Sequence, residues 1–417
     1  MSRILQVLRF LIAVLLIGVG MLGQYRYHLV EKYFADKLNL DSSNSTTLSN
    51  LLSVPNGQDE KPDLTNFWET WQYLEQDFLE PEKLDNATMV DGAISGLAAS
   101  LGDPYTMYLP PKDNQRSGED LAGSFYGVGI ELGYIESTLA VVAPLKDSPA
   151  ELAGVKSGDL ILKVTDLERD FDEETTGWSL TRAVDEIRGP LGSTVTLTLF
   201  RPGESSEPFE ASIIRGEIVV KSSELEFVEL GGKSVAQIKL YRFGERTNGE
   251  WDKIVNQILV SEDLDGVVLD MRSNPGGFFD GAIDVASEFI KSGTVVSQKG
   301  KYTQQDFSAR GGARLSHLPV VVLVNRGSAS ASEIVAGALR DQLGAKLVGE
   351  RTFGKGTVQD RRKLSNGGGL HITIARWLLP GGSWIHKEGL EVDVEAKDNP
   401  DTKQDEVLLE AVRTLGK

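Results

Sequence analysis

Apolar residues recur with a helical period where the folded part of the chain is predicted to begin, near Asp63. They are spaced i, i+4, i+7 and i+11 at Phe67, Trp71, Leu74 and Phe78. This spacing predicts an amphipathic helix, and a second helix is predicted over residues 89–101, where Gly102 ends it. The segment DPYTMYLPP, residues 103–111, predicts a break, because proline interrupts the hydrogen bonding of helices and strands.

Short apolar runs separated by glycine turns follow from Gly123 to about Glu217 and predict strands. The runs are SFYGVGIEL, LAVVAPL, GDLILKV and STVTLTLFR, with one helical segment, SLTRAVDEIRG, before the last of them. From Ile218 onward, the runs GVVLDMR (266–272) and LPVVVLVN (318–325) have the pattern of buried strands, and each leads into a loop and a helical pattern. Buried strands that alternate with helices predict an α/β layer.

These patterns predict a multidomain α/β protein that is divided into six segments. The predicted segments are a signal anchor or signal peptide at 1–24, a linker at 25–62, an N-terminal helical region at 63–115, a β-rich domain at 116–217, an α/β core at 218–400 and a C-terminal helix at 401–417. The linker is predicted from its Ser, Thr, Asn and Asp content, since such a segment buries too little apolar surface to order itself.

The N-terminal segment has the pattern of a membrane-targeting sequence. Residues 10–23 are apolar and uncharged, and they follow Arg3 and Arg9. A full span needs about 20 residues, which residues 4–23 supply if Gln6 is tolerated and Arg9 reaches the headgroups. No A-x-A cleavage site follows, which favours a single uncleaved anchor in the cell membrane, with the body on the extracytoplasmic (periplasmic or extracellular) side. Cleavage would instead give a secreted protein.

Composition narrows the classes of function. The net charge is 43 − 61 = −18, so nucleic acid is not a predicted partner, because its phosphates would be repelled. Cysteine is absent from the sequence, which excludes disulfides, thiolate nucleophiles and cysteine metal sites. The four histidines are scattered and form no metal-binding spacing, so neither a metal nor another cofactor is predicted.

A serine cluster lies between the apolar run 318–325 and the helical pattern ASEIVAGALRD. At such a bend the first N–H groups of a helix have no partner inside the helix, and they can stabilise an oxyanion. Three serines compete for the role of nucleophile, namely Ser328, Ser330 and Ser332. The alternative is that one of them only caps the helix.

A lysine between two glycines follows 25 residues after Ser330, in the loop RTFGKGTVQ. Lys355 would be protonated at its ordinary pKa, about 10.4, but burial by the glycine-lined loop and Phe353 would lower that pKa. A neutral amine next to a serine can take its proton and return it to the leaving group, so this acyl-transfer dyad needs no histidine.

Two other readings of the glycine-rich segments compete with this one. GERTFGKG, residues 349–356, nearly matches the phosphate-binding pattern GxxxxGK[ST], but Gly356 stands where Ser or Thr would hold magnesium. YGVGIELG similarly misses GxGxxG, because Gly133 comes one position late. Nucleotide binding is therefore ranked below acyl transfer.

The sequence GSASASEIVAGALRD, the loop FGKGTVQ and LDMRSNPGG resemble the C-terminal processing peptidases, also called tail-specific proteases, over about residues 63–400. The resemblance implies a crotonase-like α/β protease core. It also implies that Ser330 is the nucleophile, that Lys355 is the general base and that Gln359 orients the base. The N–H groups of Ala331 and Gly277 are implied to form the oxyanion hole. Glu333 is expected to neutralise the helix start. Val392 departs from the family pattern, which has proline there.

The family resemblance also implies a PDZ domain at residues 116–217. The family's carboxylate-binding loop corresponds to Gly127, Val128, Gly129 and Ile130. Successive N–H groups in such a loop bind a terminal carboxylate while the peptide adds to the sheet edge. Arg188 lies on the family's turn IRGxxG, where it is either a solvated surface residue or a contact to the protease core.

The predicted function is a membrane-tethered serine endopeptidase that binds proteins or peptides with free, apolar C-terminal tails and cuts them with a Ser330/Lys355 dyad. A different class of function is the alternative, a catalytically silent PDZ adaptor at the membrane. Intact Ser330, Lys355 and Gln359 argue against the adaptor. The oligomeric state is left open by the sequence, with a homodimer as one candidate.

Overall fold

The computed structural model describes residues 62–399, 401–402 and 404–415. The predicted anchor at residues 1–24 and the predicted linker up to residue 61 lie outside this range. No helix in the described range is both long and apolar enough to span a bilayer. The described residues divide into two units, one that ends at Leu84 and one that begins at Asp85.

The described helices, in chain order, are α1 (Thr65–Asp77), α2 (Asn86–Ala99), α3 (Pro111–Ala122), α4 (Pro149–Leu152), α5 (Leu180–Ile187), α6 (Thr247–Leu259), α7 (Phe279–Ser287), α8 (Ala331–Leu343) and α9 (Glu406–Thr414). The first two confirm the helices that apolar spacing predicts, although α2 begins three residues earlier than expected. Asp85 explains the early start, because its side chain caps the helix by accepting the Thr88 N–H.

The described strands fall into two groups along the chain. Those up to residue 219 are β1 (Met107–Leu109), β2 (Ser124–Gly127), β3 (Ile130–Ile135), β4 (Thr138–Pro144), β5 (Leu160–Asp166), β6 (Phe171–Glu174), β7 (Thr194–Phe200), β8 (Phe209–Ile214) and β9 (Gly216–Val219). The later ones are β10 (Ser223–Leu230), β11 (Lys233–Leu240), β12 (Gly266–Asp270), β13 (Thr294–Gly300), β14 (Gln304–Ser308), β15 (Val320–Val324), β16 (Lys346–Gly349), β17 (Thr357–Lys363), β18 (Gly369–Leu378) and β19 (Val394–Glu395).

A β-rich body forms around an antiparallel sheet with the strand order β3-β4-β5-β7-β8, to which β6 adds on β5. Along β7 the apolar residues alternate with threonines, and Val195, Leu197 and Leu199 are fully buried. This alternation places one face of the strand in a core that α5 covers with Ala183 and Ile187. The body therefore matches the β-rich layer with helices that the sequence predicts.

The core sheet has the strand order β10-β11-β12-β15-β16-β19 and is parallel from β11 onward. Every residue of β12 and β15 is buried, because α6, α7 and α8 cover one face of the sheet and α9 covers the other. Carboxyl ends of neighbouring parallel strands meet at one edge. The loops that follow β12, β15 and β16 therefore meet at one place.

A second, antiparallel sheet stands beside this edge. Its order is β1-β18-β13-β14, and β17 pairs with β18 over residues 357–363. The strand β18 is ten residues long, so it reaches both β1 and β13. Because β17 follows the Lys355 loop directly, this sheet positions the residues of β17 and β18 that come after that loop.

The segment 103–122 is more regular than its prolines suggest. It contains β1 and then α3, in which Pro111 occupies the first turn, where a missing N–H costs no hydrogen bond. On one side α3 contacts the β-rich body through Glu119, which pairs with Arg188 at 3.2 Å. On the other side the carbonyl groups of Asp120 and Leu121 accept hydrogen bonds from Arg242 and from the Glu245 N–H. The helix thus bridges the β-rich body and the core.

The predicted fold class, a multidomain α/β protein with an N-terminal helical layer, a β-rich domain and an α/β core, is confirmed. The two runs predicted to be buried form β12 and β15, and the last amphipathic segment forms α9, as predicted. Val392, which stands where the family pattern has proline, packs against the main core.

Candidate active site

Ser330 lies between β15 and α8, at the N-cap position of the helix. Its backbone has φ +55° and ψ −114°, a conformation that residues other than glycine rarely adopt. The preceding turn is held by Asn325, whose Oδ1 accepts the N–H groups of Ser273 at 2.8 Å and Gly327 at 2.9 Å. The strand-to-helix bend that the sequence predicts is therefore present, and the surrounding turn fixes it.

The three candidate serines have different surroundings. The Ser328 hydroxyl donates to the Met271 carbonyl at 2.8 Å and accepts the Asn325 N–H at 3.0 Å. The Ser332 hydroxyl donates to the Asn274 carbonyl at 3.0 Å. Both of these serines are fully buried, whereas Ser330 is only half-buried and lines a cavity. The hydroxyls of Ser328 and Ser332 therefore hold the loops together.

Glu333 connects the serine turn to the lysine loop. Its buried carboxylate accepts the N–H of Ser330 at 2.8 Å, the N–H of Lys355 at 2.9 Å and the N–H of Gly354 at 2.7 Å. It also accepts the Thr352 hydroxyl at 2.6 Å. Burial raises the pKa of Glu333, and these four donors oppose that shift. Glu333 thus does more than neutralise the start of α8.

The lysine loop runs between β16 and β17 in close contact with other backbone. Gly354 has φ +90°, and a Cβ there would lie 2.8 Å from the Gly389 nitrogen. A Cβ at Gly356 would lie 2.7 Å from Trp384 Nε1, which donates to the Gly356 carbonyl at 2.8 Å. Because a strand follows the loop, no helix N-terminus is available to bind phosphate there. The nucleotide-binding reading therefore has no structural support in this segment.

The Lys355 side chain is partly buried. Burial lowers the pKa of its amine, while the nearby carboxylates of Glu333 and Asp103 oppose the shift. Its Nζ lies 5.2 Å from the centre of the Tyr105 ring. Phe353, which the sequence suggests as the covering aromatic, is 55% exposed. Tyr105 is therefore the aromatic residue that stands over the amine.

Gln359 lies on β17, beside a bulge between Val358 and Gln359. Its Nε2 donates to the hydroxyl of Thr357 at 2.9 Å and to the hydroxyl of Thr373 at 3.1 Å. These two hydrogen bonds fix the position of the Gln359 side chain, as is required of a residue that orients another group.

The loop that contains Gly277 packs against the serine turn. Gly277 has φ +143°, and a Cβ there would lie 2.0 Å from the Phe243 carbonyl oxygen, so only glycine fits. Asn274 holds the loop by donating to the Leu240 carbonyl and accepting the Gly276 N–H. Neither the Gly277 N–H nor the Ala331 N–H donates a hydrogen bond within the described part of the chain.

These groups surround one cavity with a volume of about 830 Å³. All five predicted catalytic and oxyanion-hole residues line it, namely Ser330, Lys355, Gln359, Gly277 and Ala331. Further lining residues come from α3 and from the second sheet, such as Leu121 and His371. The cavity thus has one wall from the parallel sheet edge and another from β17 and β18.

The predicted tail-binding loop lies in the β-rich body and does not line this cavity. It spans the end of β2 and the start of β3, and it includes Gly127, Val128, Gly129 and Ile130. Gly129 has φ +75°, and its carbonyl accepts the Leu145 N–H. The Arg188 guanidinium lies 3.9 Å from the centre of the Phe125 ring and pairs with Glu119, so Arg188 contacts α3.

Sequence reasoning missed several groups around the lysine. Tyr105 and Asp103 belong to the segment that prolines mark as a break, and Thr373 belongs to a strand without any special pattern. The positions of Tyr105 and Asp103 depend on the pairing of β1 with β18, which joins residues more than 250 positions apart, and Thr373 lies opposite Gln359 through the pairing of β17 with β18. The short polar sequence DPYT, placed before a strand, is the only local signal for two of them.

Comparison with known proteins gives the family of this chain. A family model described as "Peptidase family S41" matches residues 234–396, and one described as "Activating protease CtpB N-terminal domain" matches residues 18–113. The carboxy-terminal processing protease CtpB of Bacillus subtilis is 34% identical over 76% of this chain and 64% of its own length. CtpA of the same species is 34% identical over 88% of this chain and 76% of its own length.

A third relative and a solved structure extend the comparison. The carboxy-terminal-processing protease of Bartonella bacilliformis is 33% identical over 85% of this chain and 79% of its own length. A putative S41 protease from Bacteroides fragilis shares the fold, with a TM-score of 0.51 at 17% identity over 85% of this chain and 97% of that chain.

The family model and the relatives define a peptidase of the serine class. Within that class, the chain belongs to the carboxy-terminal processing proteases of peptidase family S41.

Proposed function

We propose that this protein is a membrane-tethered serine endopeptidase that captures the free, apolar C-terminal tail of a protein and hydrolyses its peptide bonds with a Ser330/Lys355 dyad. Gln359 orients the lysine, and the N–H groups of Ala331 and Gly277 form the oxyanion hole. The proposed boundaries are those that the sequence predicts, with the PDZ domain at 116–217 and the protease core at 218–400.

The observation that carries this proposal is the double connection made by Glu333. One buried carboxylate holds the backbone of both Ser330 and Lys355, and both side chains line the same cavity. An arrangement that serves only to cap a helix would not need the lysine loop. The lowered pKa of Lys355 further supports a role as a base, because more of its amine is then neutral at a given pH.

The chemistry follows from these positions. The neutral Lys355 amine takes the proton of the Ser330 hydroxyl while the oxygen attacks the carbonyl carbon of the scissile bond. The negative charge that develops on the carbonyl oxygen is stabilised by the N–H groups of Ala331 and Gly277. The lysine then gives its proton to the leaving amine, and an acyl-enzyme remains on Ser330. A water molecule then attacks the acyl-enzyme through the same steps, with Lys355 as the base, and releases the second product.

Tail capture is assigned to the loop of Gly127, Val128, Gly129 and Ile130. The backbone conformation of Gly129, with φ +75°, supports a tight loop of the kind that presents successive N–H groups to a carboxylate. The bound tail would extend along the edge of the sheet of the β-rich body. In this proposal, substrate binding and hydrolysis take place in separate parts of the chain.

The membrane tether is assigned to residues 1–24, with the catalytic body on the extracytoplasmic side. The apolar run after Arg3 and Arg9 supports it. Fractionation of cells that express the full chain tests this assignment. Recovery with the membranes after a carbonate wash supports an anchor, whereas recovery of a shortened chain in the medium or periplasm shows that the segment is cleaved.

Hydrolysis is tested with the full chain in detergent, incubated with an unfolded protein that ends in an apolar tail. We expect wild-type protein to release fragments that mass spectrometry can identify, and Ser330→Ala to bind the same protein without cutting it. Binding without cutting by the wild type would instead favour the PDZ adaptor.

A further inference from the structure

The peptide group that joins Lys355 to Gly356 is held at both of its edges by side chains. The Lys355 carbonyl accepts the Trp377 indole N–H at 2.9 Å, and the Gly356 N–H donates to His386 Nδ1 at 3.3 Å. A trans peptide group is planar, and its carbonyl and N–H point in opposite directions. Because Glu333 holds the N–H before the Lys355 Cα, the peptide groups on both sides of that Cα are fixed.

The His386 ring is itself held in place against the lysine loop. A Cβ at Gly356 would lie only 2.9 Å from the His386 Cβ, so the two segments are in close contact. Trp384 stacks on the imidazole with the ring centres 5.0 Å apart and the planes 13° from parallel, and its Nε1–H donates to the Gly356 carbonyl at 2.8 Å. The Tyr105 ring meets the imidazole at 5.9 Å with the planes 65° apart. These two aromatic rings limit the rotation of the imidazole.

The surroundings of His386 keep its ring neutral at neutral pH. Burial lowers the pKa of His386, the charge of Lys387 lowers it further, and the Asp103 carboxylate opposes both effects. The charged and titratable groups around the ring come from four segments and are Lys387 next to it in the chain, Asp103 and Tyr105 before β1, Lys355 in the lysine loop, and Arg376 on β18, which lies over the Trp384 ring.

Only the neutral ring can hold the loop in this way. Nδ1 accepts a hydrogen bond only while it carries no proton, whereas both ring nitrogens are donors in the imidazolium ion. In the charged form, therefore, two donors would face each other at the Gly356 N–H. Gly356 is buried, and a buried N–H without an acceptor is costly. The peptide group would then turn away from His386, and the lysine would move with it.

We propose that His386 is a positioning residue, whose neutral ring holds the peptide group after Lys355 and thereby keeps the Lys355 amine in the cavity that it shares with Ser330. This inference rests on the proposed Ser330/Lys355 function. His386 acts through the backbone of the lysine loop and takes no part in proton transfer itself.

The first test replaces the acceptor in the full chain in detergent, assayed with a tailed protein and with an activated peptide ester that keeps slow variants measurable. His386→Ala removes the acceptor and should lower kcat on the order of 10²-fold, with KM within about twofold. His386→Asn should restore most of the rate, because the asparagine Oδ1 is as many bonds from Cα as Nδ1 is and can accept the same N–H. His317→Ala is the matched control and should keep full activity, since His317 is exposed and does not line the cavity.

The second test is the acid limb of the pH profile, and it does not depend on the alanine variant being folded. Below the pKa of His386, which lies below that of a free histidine, about 6.5, the wild type has to lose protons from both Lys355 and His386. A plot of log kcat/KM against pH should therefore steepen there from a slope of about one to about two. His386→Asn does not titrate and should keep a slope of about one. His371, which also lies near Lys355, is present in both proteins and causes no difference between them.

Equal losses of kcat in His386→Ala and His386→Asn would overturn the proposal. It would also be overturned by a wild-type profile that does not steepen, or by one that steepens equally in His386→Asn. Failure of the proposed function is seen separately, because Ser330→Ala and Lys355→Ala would then remain active.

Discussion

The backbone N–H of Lys355 donates a 2.9 Å hydrogen bond to Glu333, a residue that lies three positions after Ser330 and is fully buried. The same carboxylate oxygen accepts the Ser330 N–H at 2.8 Å. The proposed nucleophile and the proposed base are therefore held by one atom. Movement of either loop requires a buried charge to lose a partner, which is costly in a medium of low polarity.

Glu333→Gln tests this connection with almost no change of shape. A glutamine offers one acceptor oxygen where the carboxylate has two, so a pair of donors is left facing an NH₂ group. We expect a loss of about 1–3 kcal/mol in the free energy of unfolding and a fall in kcat of at least tenfold. Thermal unfolding and steady-state kinetics measure the two effects. Wild-type values for both would show that the carboxylate is not needed to join the loops.

The Lys355 amine should give the enzyme a characteristic pH dependence. Since burial lowers its pKa, kcat/KM should rise with pH above neutrality through a single ionisation with a midpoint below that of a free lysine, about 10.4. Lys355→Ala and Lys355→Arg should both be inactive, because arginine keeps its charge. The pH profile of peptide hydrolysis checks the midpoint, and activity in the arginine variant would remove Lys355 from the role of base.

Substitution of each of the three candidate serines should have a different effect on activity and stability. Ser330→Ala should abolish cleavage without loss of stability, since its hydroxyl faces the cavity. Ser328→Ala and Ser332→Ala should remain active but unfold more easily, by about 1 kcal/mol for each lost buried hydrogen bond. Urea unfolding combined with a cleavage assay distinguishes these outcomes. An active Ser330→Ala together with an inactive Ser332→Ala would transfer the nucleophile to Ser332.

Tail capture should depend on the free carboxylate of the substrate. Amidation of the tail removes the charge that the loop from Gly127 to Ile130 is proposed to bind, so affinity should fall by about 1–3 kcal/mol, roughly 5- to 150-fold in Kd. Calorimetry with paired peptides in the Ser330→Ala variant measures this difference without cleavage. Equal affinity for both peptides would show that the loop does not select tails.

A change to the substrate is a better test here than a change to the loop. A Cβ at Gly129 would lie 2.5 Å from the Ser148 Cβ, and the position has φ +75°. Gly129→Val would therefore disturb the packing of the β-rich body as well as the approach of a peptide. A loss of turnover in that variant would not distinguish capture from folding.

Elements with a strong local signal could be predicted from the sequence. The runs that form β12 and β15 are mostly apolar because helices cover both faces of the sheet. The loops with Gly277 and Ser330 could be located because each follows such a strand. The loop with Lys355 could be located because it follows the neighbouring strand, β16. Glycines at positions with positive φ or close backbone contacts mark these loops in the sequence, as Gly277 and Gly354 illustrate.

Features that depend on long-range pairing could not be predicted. The second sheet brings Thr106 and Thr373 into hydrogen-bond contact although they lie 267 positions apart, and no local pattern reports that contact. The helix α3 was missed because its prolines suggest a break, whereas Pro111 in the first turn is compatible with a helix. Glu333 was recognised only as a neutraliser of the helix start, because its bonds to the lysine loop depend on tertiary structure.

The backbone conformation of Ser330 lowers the stability of the protein at the position where the proposed nucleophile is needed for activity. A φ of +55° in a residue other than glycine costs on the order of 1–3 kcal/mol. Glycine would relax the turn and delete the hydroxyl in a single step. A directed-evolution screen that rewards heat resistance alone would therefore accumulate inactive chains at this position, so stabilised versions of this enzyme have to be selected with turnover as a second criterion.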